Sequence, residues 1–499
     1  MKKTAYYIFY TLLAVFLLWI TIAGVCYVNG NVFGQLLVAA VMAGGMVVVG
    51  VAAYRCAPVT ERAYRIAVPV LLGCTYVMLT AFGIRTMTVP ISDLEVLVNA
   101  ADHLLNNGDL FPYSGYFTIC RNTLGNALFL ALSFWPLQAA GISIYSDLAE
   151  AWGIAVNCAM LICTVFLLWL LVKRVVHSKN LQLLFLLLAL CYVPFYLWAH
   201  RYYSDTLSLP FLPLAVLLYD NARRAKGKNS IWWSCGCGVC VWLGYFIRGS
   251  LAIVLAAIVI YALFCDGRRL IKTVLPALLT FALISALWNI YLHNNSWIDF
   301  SDEEALQYPT EMWLMYGAHG EGNYCDEDVQ MLQALPDYTA RKEKAVQMLK
   351  EYYGQYTPAE YVKFLTLKYG KTWGNGLFDS EKYLNNQRTS NFTHMFLLDG
   401  MPYTAPFRYL ANGLHFAILA LNVAGAFLSL RKKEWTVTLL LQIVFFGNIL
   451  FLSFWETKAR YAFGVTPIML LVTVVTMEQL AEVLSAYISK KKAAGSRKK

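Results

Sequence analysis

The 499-residue chain is 59% hydrophobic and 14% charged, whereas soluble globular proteins average about 45–50% and about 25%. That balance excludes an ordinary soluble enzyme and predicts a polytopic membrane protein. The net charge of +10, from 40 Lys+Arg and 30 Asp+Glu, falls in short clusters between apolar runs. It therefore argues against nucleic acid and for loops on one membrane side.

Charge-free windows such as Thr11–Tyr27, Phe33–Tyr54 and Trp435–Phe454 match the thickness of a bilayer. Met1-Lys2-Lys3 before the first run lacks a small-residue cleavage site, so a retained first span is expected. After the third run, Ser92-Asp93-Leu94-Glu95 opens a helix. Leu94, Leu97, Val98, Ala101, Leu104 and Leu105 recur at i, i+3, i+4, i+7, which predicts an amphipathic helix on the membrane surface. Ser92 and Glu95 have capping-box spacing. Asp93 would stand at the helix N-terminus, where the dipole favours an ionised carboxylate able to accept a proton.

Leu124–Ala140 is apolar, with Trp135-Pro136 inside it and Gly125 and Gly141 at its margins. As a crossing it would put the later basic clusters on the wrong side, so it is expected to be juxtamembrane or re-entrant. The clusters are Lys2/Lys3, Arg55/Arg62/Arg65, Lys173/Arg174/Lys179, Arg223/Arg224/Lys226/Lys228, Arg268/Arg269/Lys272, Arg431/Lys432/Lys433 and the tail from Lys490. Placing all of them in the cytoplasm gives about 12 transmembrane helices with both termini inside. The basic tail could also meet anionic lipid.

Every motif-rich loop then faces the other side. Arg201-Tyr202-Tyr203-Ser204-Asp205 holds a second acid beside a cation, and Arg248 stands alone in an apolar turn. Trp455-Glu456-Thr457-Lys458-Ala459-Arg460-Tyr461 adds further cations, with Glu456 and Arg460 spaced to pair with each other. Isolated cations at a lipid boundary suit a phosphate or diphosphate headgroup. The segment 293–405 is expected to form a helical extracytoplasmic domain, with Thr339 or Thr357 capping helices and Pro358 in the first turn of the second. Within it, Lys368-Tyr369-Gly370-Lys371-Thr372-Trp373 combines cations and aromatics suited to a sugar.

The 12 Cys predict no disulfide framework, and Cys235, Cys237 and Cys240 fall inside an apolar run where packing explains them. The seven His are scattered, and the acidic stretch 322–328 lacks EF-hand spacing and is read as solvated loop. No metal site and no cofactor are expected. The expected organisation is a membrane domain over 1–292 with outer loop 83–150, the loop domain 293–405, spans over 406–485, and a basic tail over 486–499.

Taken in order, Asp93, then Tyr113 with Arg121-Asn122, then Tyr202-Tyr203-Ser204-Asp205, then Trp455-Glu456 with Arg460-Tyr461 form a recognisable set. The set resembles the bacterial polytopic GT-C glycosyltransferases related to protein O-mannosyltransferases, especially a group from Gram-positive bacteria. The resemblance covers nearly the whole chain. It implies transfer of a sugar from a polyprenyl-phosphate donor to a cell-envelope glycan or protein on the extracytoplasmic face of the cell membrane, with inversion.

It further implies Asp93 as base, with Asp205 as a second acid near the site; Glu95 is a further catalytic candidate from its place beside Asp93. Arg201, Arg248, Lys458 and Arg460 are the candidates for the donor phosphate. Tyr113, Arg121, Asn122, Tyr203, Lys371, Trp373 and Glu456 are the candidates for the sugar or acceptor. The chain departs from many relatives, having Asp93-Leu94-Glu95 for a doubled acid and Arg121-Asn122 for a Pro-Asn pair. The rival readings are a transporter or flippase, which would need charged or broken spans at mid-membrane, and a ligase or polymerase of lipid-linked glycans.

Overall fold

The computed structural model describes residues 2–28, 31–385, 392–432 and 434–496, the last seven of these by backbone alone except Lys491. Lys433 and the tail residues 497–499 lie outside the described residues. The described chain is almost wholly helical, an all-α bundle with a small helical unit at one end. Ten of its helices are long and apolar enough to cross a membrane, from Lys2–Tyr27 to Thr466–Ser489.

One shorter apolar helix, Gly249–Cys265, and the amphipathic helix Phe211–Arg224 pack among them. Phe211–Arg224 lies antiparallel to Lys228–Ile247, with Gly244 against Phe211 at one end and Ser230 Oγ donating to the Ala222 carbonyl at the other. Gly249–Cys265 begins beside Gly244 and brings the Tyr261 hydroxyl to the Trp435 carbonyl. Against the expectation of about twelve transmembrane helices, ten of the described helices are long and apolar enough to cross a membrane and Gly249–Cys265 is a shorter apolar one.

The basic clusters gather at one end, where acidic residues tie them together. Glu61 holds Lys179 at 2.7 Å, Asp266 holds Arg223 at 2.8 Å, and Asp220 joins Arg174 and Arg224. Lys432 pairs with Glu482 at 2.8 Å, and Glu478 accepts from the His177 and Ser178 amides. All the motif-rich turns lie at the opposite end, called the rim here.

Leu124–Ala139 keeps both of its ends at the rim. Gly125 meets the Phe246 carbonyl so closely that a Cβ there would stand 1.9 Å from the oxygen. Towards its other end, Ser133 accepts from the Trp152 indole at 2.8 Å and Gln138 donates to the Leu105 carbonyl. The helix therefore does not traverse the bundle. Against it packs the amphipathic helix Asp93–Asn107, burying Leu94, Leu97, Val98 and Ala101 as the periodicity requires.

Two details of capping differ from expectation. Ser92 has φ 58° and makes no side-chain cap, so the Ser92–Glu95 capping box does not form. At Tyr338–Gly354 the cap is Asp337, whose carboxylate accepts from the Ala340 amide, rather than Thr339. Thr357 does form the capping box with Glu360, and Pro358 fills the first helical position.

The long segment 293–405 is only partly a solvated domain. Its first half has a small core of Met312, Met315, Tyr316, Leu332, Ala345 and Met348. Its second half enters the bundle. Along the helix Pro358–Trp373, Thr366 accepts from the Trp19 indole at 2.9 Å and Tyr369 pairs with Ser453 at 2.6 Å. The Trp373 carbonyl accepts from His415 at 2.9 Å.

Candidate active site at the rim

Asp93 is the first residue of its helix and is half-buried. Tyr203 donates to its Oδ2 at 3.1 Å and Tyr116 to its Oδ1 at 3.4 Å. Burial and the adjacent carboxylate push both phenols above their ordinary range, so both remain protonated donors at neutral pH. Tyr116 comes from the short helix Ser114–Ile119, one turn beyond Tyr113.

The Tyr203 ring also borders the cations. The Arg201 guanidinium lies 5.2 Å from its centroid and that of Arg460 lies 5.8 Å away. Arg201 is 2% exposed, packs 3.8 Å from the Tyr383 ring and forms no ion pair among the described residues. Arg460 donates to the Tyr383 hydroxyl at 2.8 Å. The Nε atoms of both arginines are buried without a hydrogen-bond partner among the described residues. Asp205 offsets part of this buried charge, and a buried donor without a partner among the described residues is a place where an anion can bind.

Asp205 is 1% exposed and its partner is Arg248, not its near neighbour Arg201. Burial alone would raise this carboxyl, but Arg248, Arg460 and Arg201 together hold it below the usual carboxylate range. Its Oδ2 makes no hydrogen bond among the described residues. Fully buried Glu456 likewise binds not Arg460 but Lys458 at 2.7 Å, and accepts from Tyr461 at 2.9 Å. A narrow crevice of about 20 Å³ opens beside Arg248, Ser250 and Tyr461 and is continued by Leu212, Val254 and Val465.

The rim thus unites Asp93, Arg201, Tyr203, Asp205, Arg248 and Arg460, with Glu456 and Lys458 on the adjoining turn. Other expected residues lie apart. Glu95 and Asn122 are exposed, and Tyr113 packs edge-on against His103. Arg121 is engaged by Glu303 at 2.6 Å and lies over Phe300, which occupies its charge structurally. Lys371 pairs with Glu321, and Trp373 is fully buried inside the bundle, so its ring is not available to stack on a sugar. Sequence reasoning missed Tyr116 and Tyr383, and it quoted Tyr461 in the motif with Arg460 without giving it a role.

The fold and its rim define an all-α polytopic integral membrane protein. The chain belongs to the family described as a conserved hypothetical integral membrane protein, whose family model matches residues 1–481. No curated protein matches the sequence.

Proposed function

We propose that this protein is a membrane glycosyltransferase that moves a sugar from a polyprenyl-phosphate donor to a cell-envelope glycan or protein. The reading places the rim on the extracytoplasmic side of the cell membrane and both termini in the cytoplasm, because the basic clusters share the opposite end. One observation carries it: a proton-accepting carboxylate and two under-satisfied guanidinium groups border the same tyrosine ring.

In this reaction the donor phosphate sits against Arg201 and Arg460, with Arg248 nearby. Asp93 takes the proton from an acceptor hydroxyl as that oxygen forms a bond to the anomeric carbon. The bond from that carbon to the phosphate oxygen breaks on the opposite face, which inverts the centre. Its electron pair stays on the phosphate, whose added charge the guanidinium groups offset. Asp205 keeps Arg248 in place. Loss of general-base catalysis typically costs about 10²–10⁴-fold in rate. Membranes carrying Asp93→Asn should therefore lose transfer from labelled polyprenyl-phosphate sugars by at least about a hundredfold. Wild-type turnover in that variant would remove the proposed base.

A further inference from the structure

In the unit built on Met312, Met315 and Leu332, three side chains of metal-binding chemistry converge away from the rim site. His319 follows the helix Glu311–Ala318, while Cys325 and Asp328 open the helix Asp326–Gln333. Their ligand atoms all lie within 4.8 Å of one another, and His319 Nδ1 is 2.7 Å from Asp328 Oδ2. Gly320 and Gly322 have φ 53° and 81°, a conformation that favours glycine and folds the loop so that Cys325 returns to His319.

The surroundings have the character of a metal's outer shell. Asp328 is 3% exposed, and its other oxygen accepts from Tyr352 at 2.9 Å. The Tyr352 ring stacks on His319 with centroids 4.4 Å apart, fixing the imidazole plane. Such second-shell hydrogen bonds orient ligands and tune affinity. A His–Asp–Tyr network could hold itself together without metal, but that account leaves the thiol of Cys325 without a role.

We propose that His319, Cys325 and Asp328 form a zinc site that staples this unit, with water completing the coordination sphere. Thiolate, imidazole and carboxylate together favour zinc over the oxygen-seeking magnesium and calcium. Binding displaces the thiol proton to solvent, leaves the neutral imidazole with its proton on Nε2 rather than Nδ1, and exchanges the His319–Asp328 hydrogen bond for two metal bonds. The site bears on the rim, because the Gly322 carbonyl within its loop accepts from the Thr457 amide at 2.7 Å. It is independent of glycosyl transfer and stands or falls separately.

The test uses the full chain purified in detergent, stripped with chelator and titrated with zinc or cobalt(II). The expected result is one zinc per chain and a thiolate-to-cobalt charge-transfer band. Cys325→Ser should abolish the band, and Asp328→Asn should weaken zinc binding by at least about tenfold. In the wild-type chain, zinc should slow alkylation of Cys325 by about tenfold or more, read by mass spectrometry of its peptide, since thiolate reactivity follows its free fraction. That readout needs no variant to fold. Substoichiometric zinc at micromolar free metal, or an alkylation rate indifferent to zinc, overturns the site.

Discussion

Arg201 is the residue at which stability and activity pull apart. Its guanidinium is buried against Tyr203 and Tyr383 and pairs with no carboxylate among the described residues. Its carboxylate compensation comes only at a distance, from Asp205, which Arg248 and Arg460 also hold. A buried charge without a direct partner regains little of its desolvation cost, so an apolar side chain of similar length should be neutral or stabilising in its place. Arg201→Met should therefore melt at the same temperature as the wild type or higher. A charge-assisted contact to phosphate is worth about 1.5–3 kcal/mol, so transfer should fall by about tenfold or more. Unchanged transfer with unchanged melting would show that Arg201 serves neither role. Arg248 offers the contrast. Its loss strands the buried Asp205 carboxylate, so it should damage folding and activity together.

Two elements hold the rim together through contacts that tolerate little change. The first is Leu124–Ala139, seated on the Phe246 carbonyl by Gly125. Gly125→Ala forces overlap with backbone there, and overpacking of this kind typically costs about 1–3 kcal/mol. Thermal unfolding should report that loss. The second is Pro358–Trp373, where buried Lys368 donates to the Trp455 carbonyl at 3.0 Å and to the Gly317 carbonyl. Burial pushes its ammonium down from 10.5 to about 7. Between about 7 and 10.5 the unfolded chain binds the proton that the folded chain has lost. Stability should therefore rise with pH across that window, and the gain should disappear as pH falls through 7. Lys368→Met should flatten the profile of melting temperature against pH, and an unaltered profile would mean that another group sets it.

These elements also mark how far the sequence could be read. The amphipathic rim helix was legible because Leu94, Leu97, Val98 and Ala101 carry a helical period. The insertion around Trp373 was not, since glycines, lysines and aromatics have the same composition in a solvated loop and in a wedge between helices. Ser92 illustrates a different limit. Its type and spacing suit a cap, but its positive φ turns the side chain away from the helix amides. Tyr383 was illegible for a third reason: it reaches Arg201 and Arg460 only through tertiary folding of the long segment.

At the scale of the whole molecule, charge and chemistry occupy opposite ends of one bundle. Lys226 lies just past Arg223 and Arg224 at the basic end, whereas Ser92 precedes Asp93 at the rim. Asn323 adjoins Gly322, which is bonded to the rim turn at Thr457. Cysteines introduced at Ser92 and Asn323 should be labelled by an impermeant maleimide added outside intact cells, and one at Lys226 should not. The reverse pattern would invert the orientation and, with it, the side on which transfer occurs.

Tyr383 gives this architecture one more property. Its ring covers Arg201 and its hydroxyl occupies Arg460. The chain beside it is tethered to the same turn, because Asp379 accepts from the Ala459 amide at 3.0 Å. The tyrosine thus acts as a stand-in guest. Under the proposed function, an incoming phosphate would have to displace an aromatic face and a phenol simultaneously.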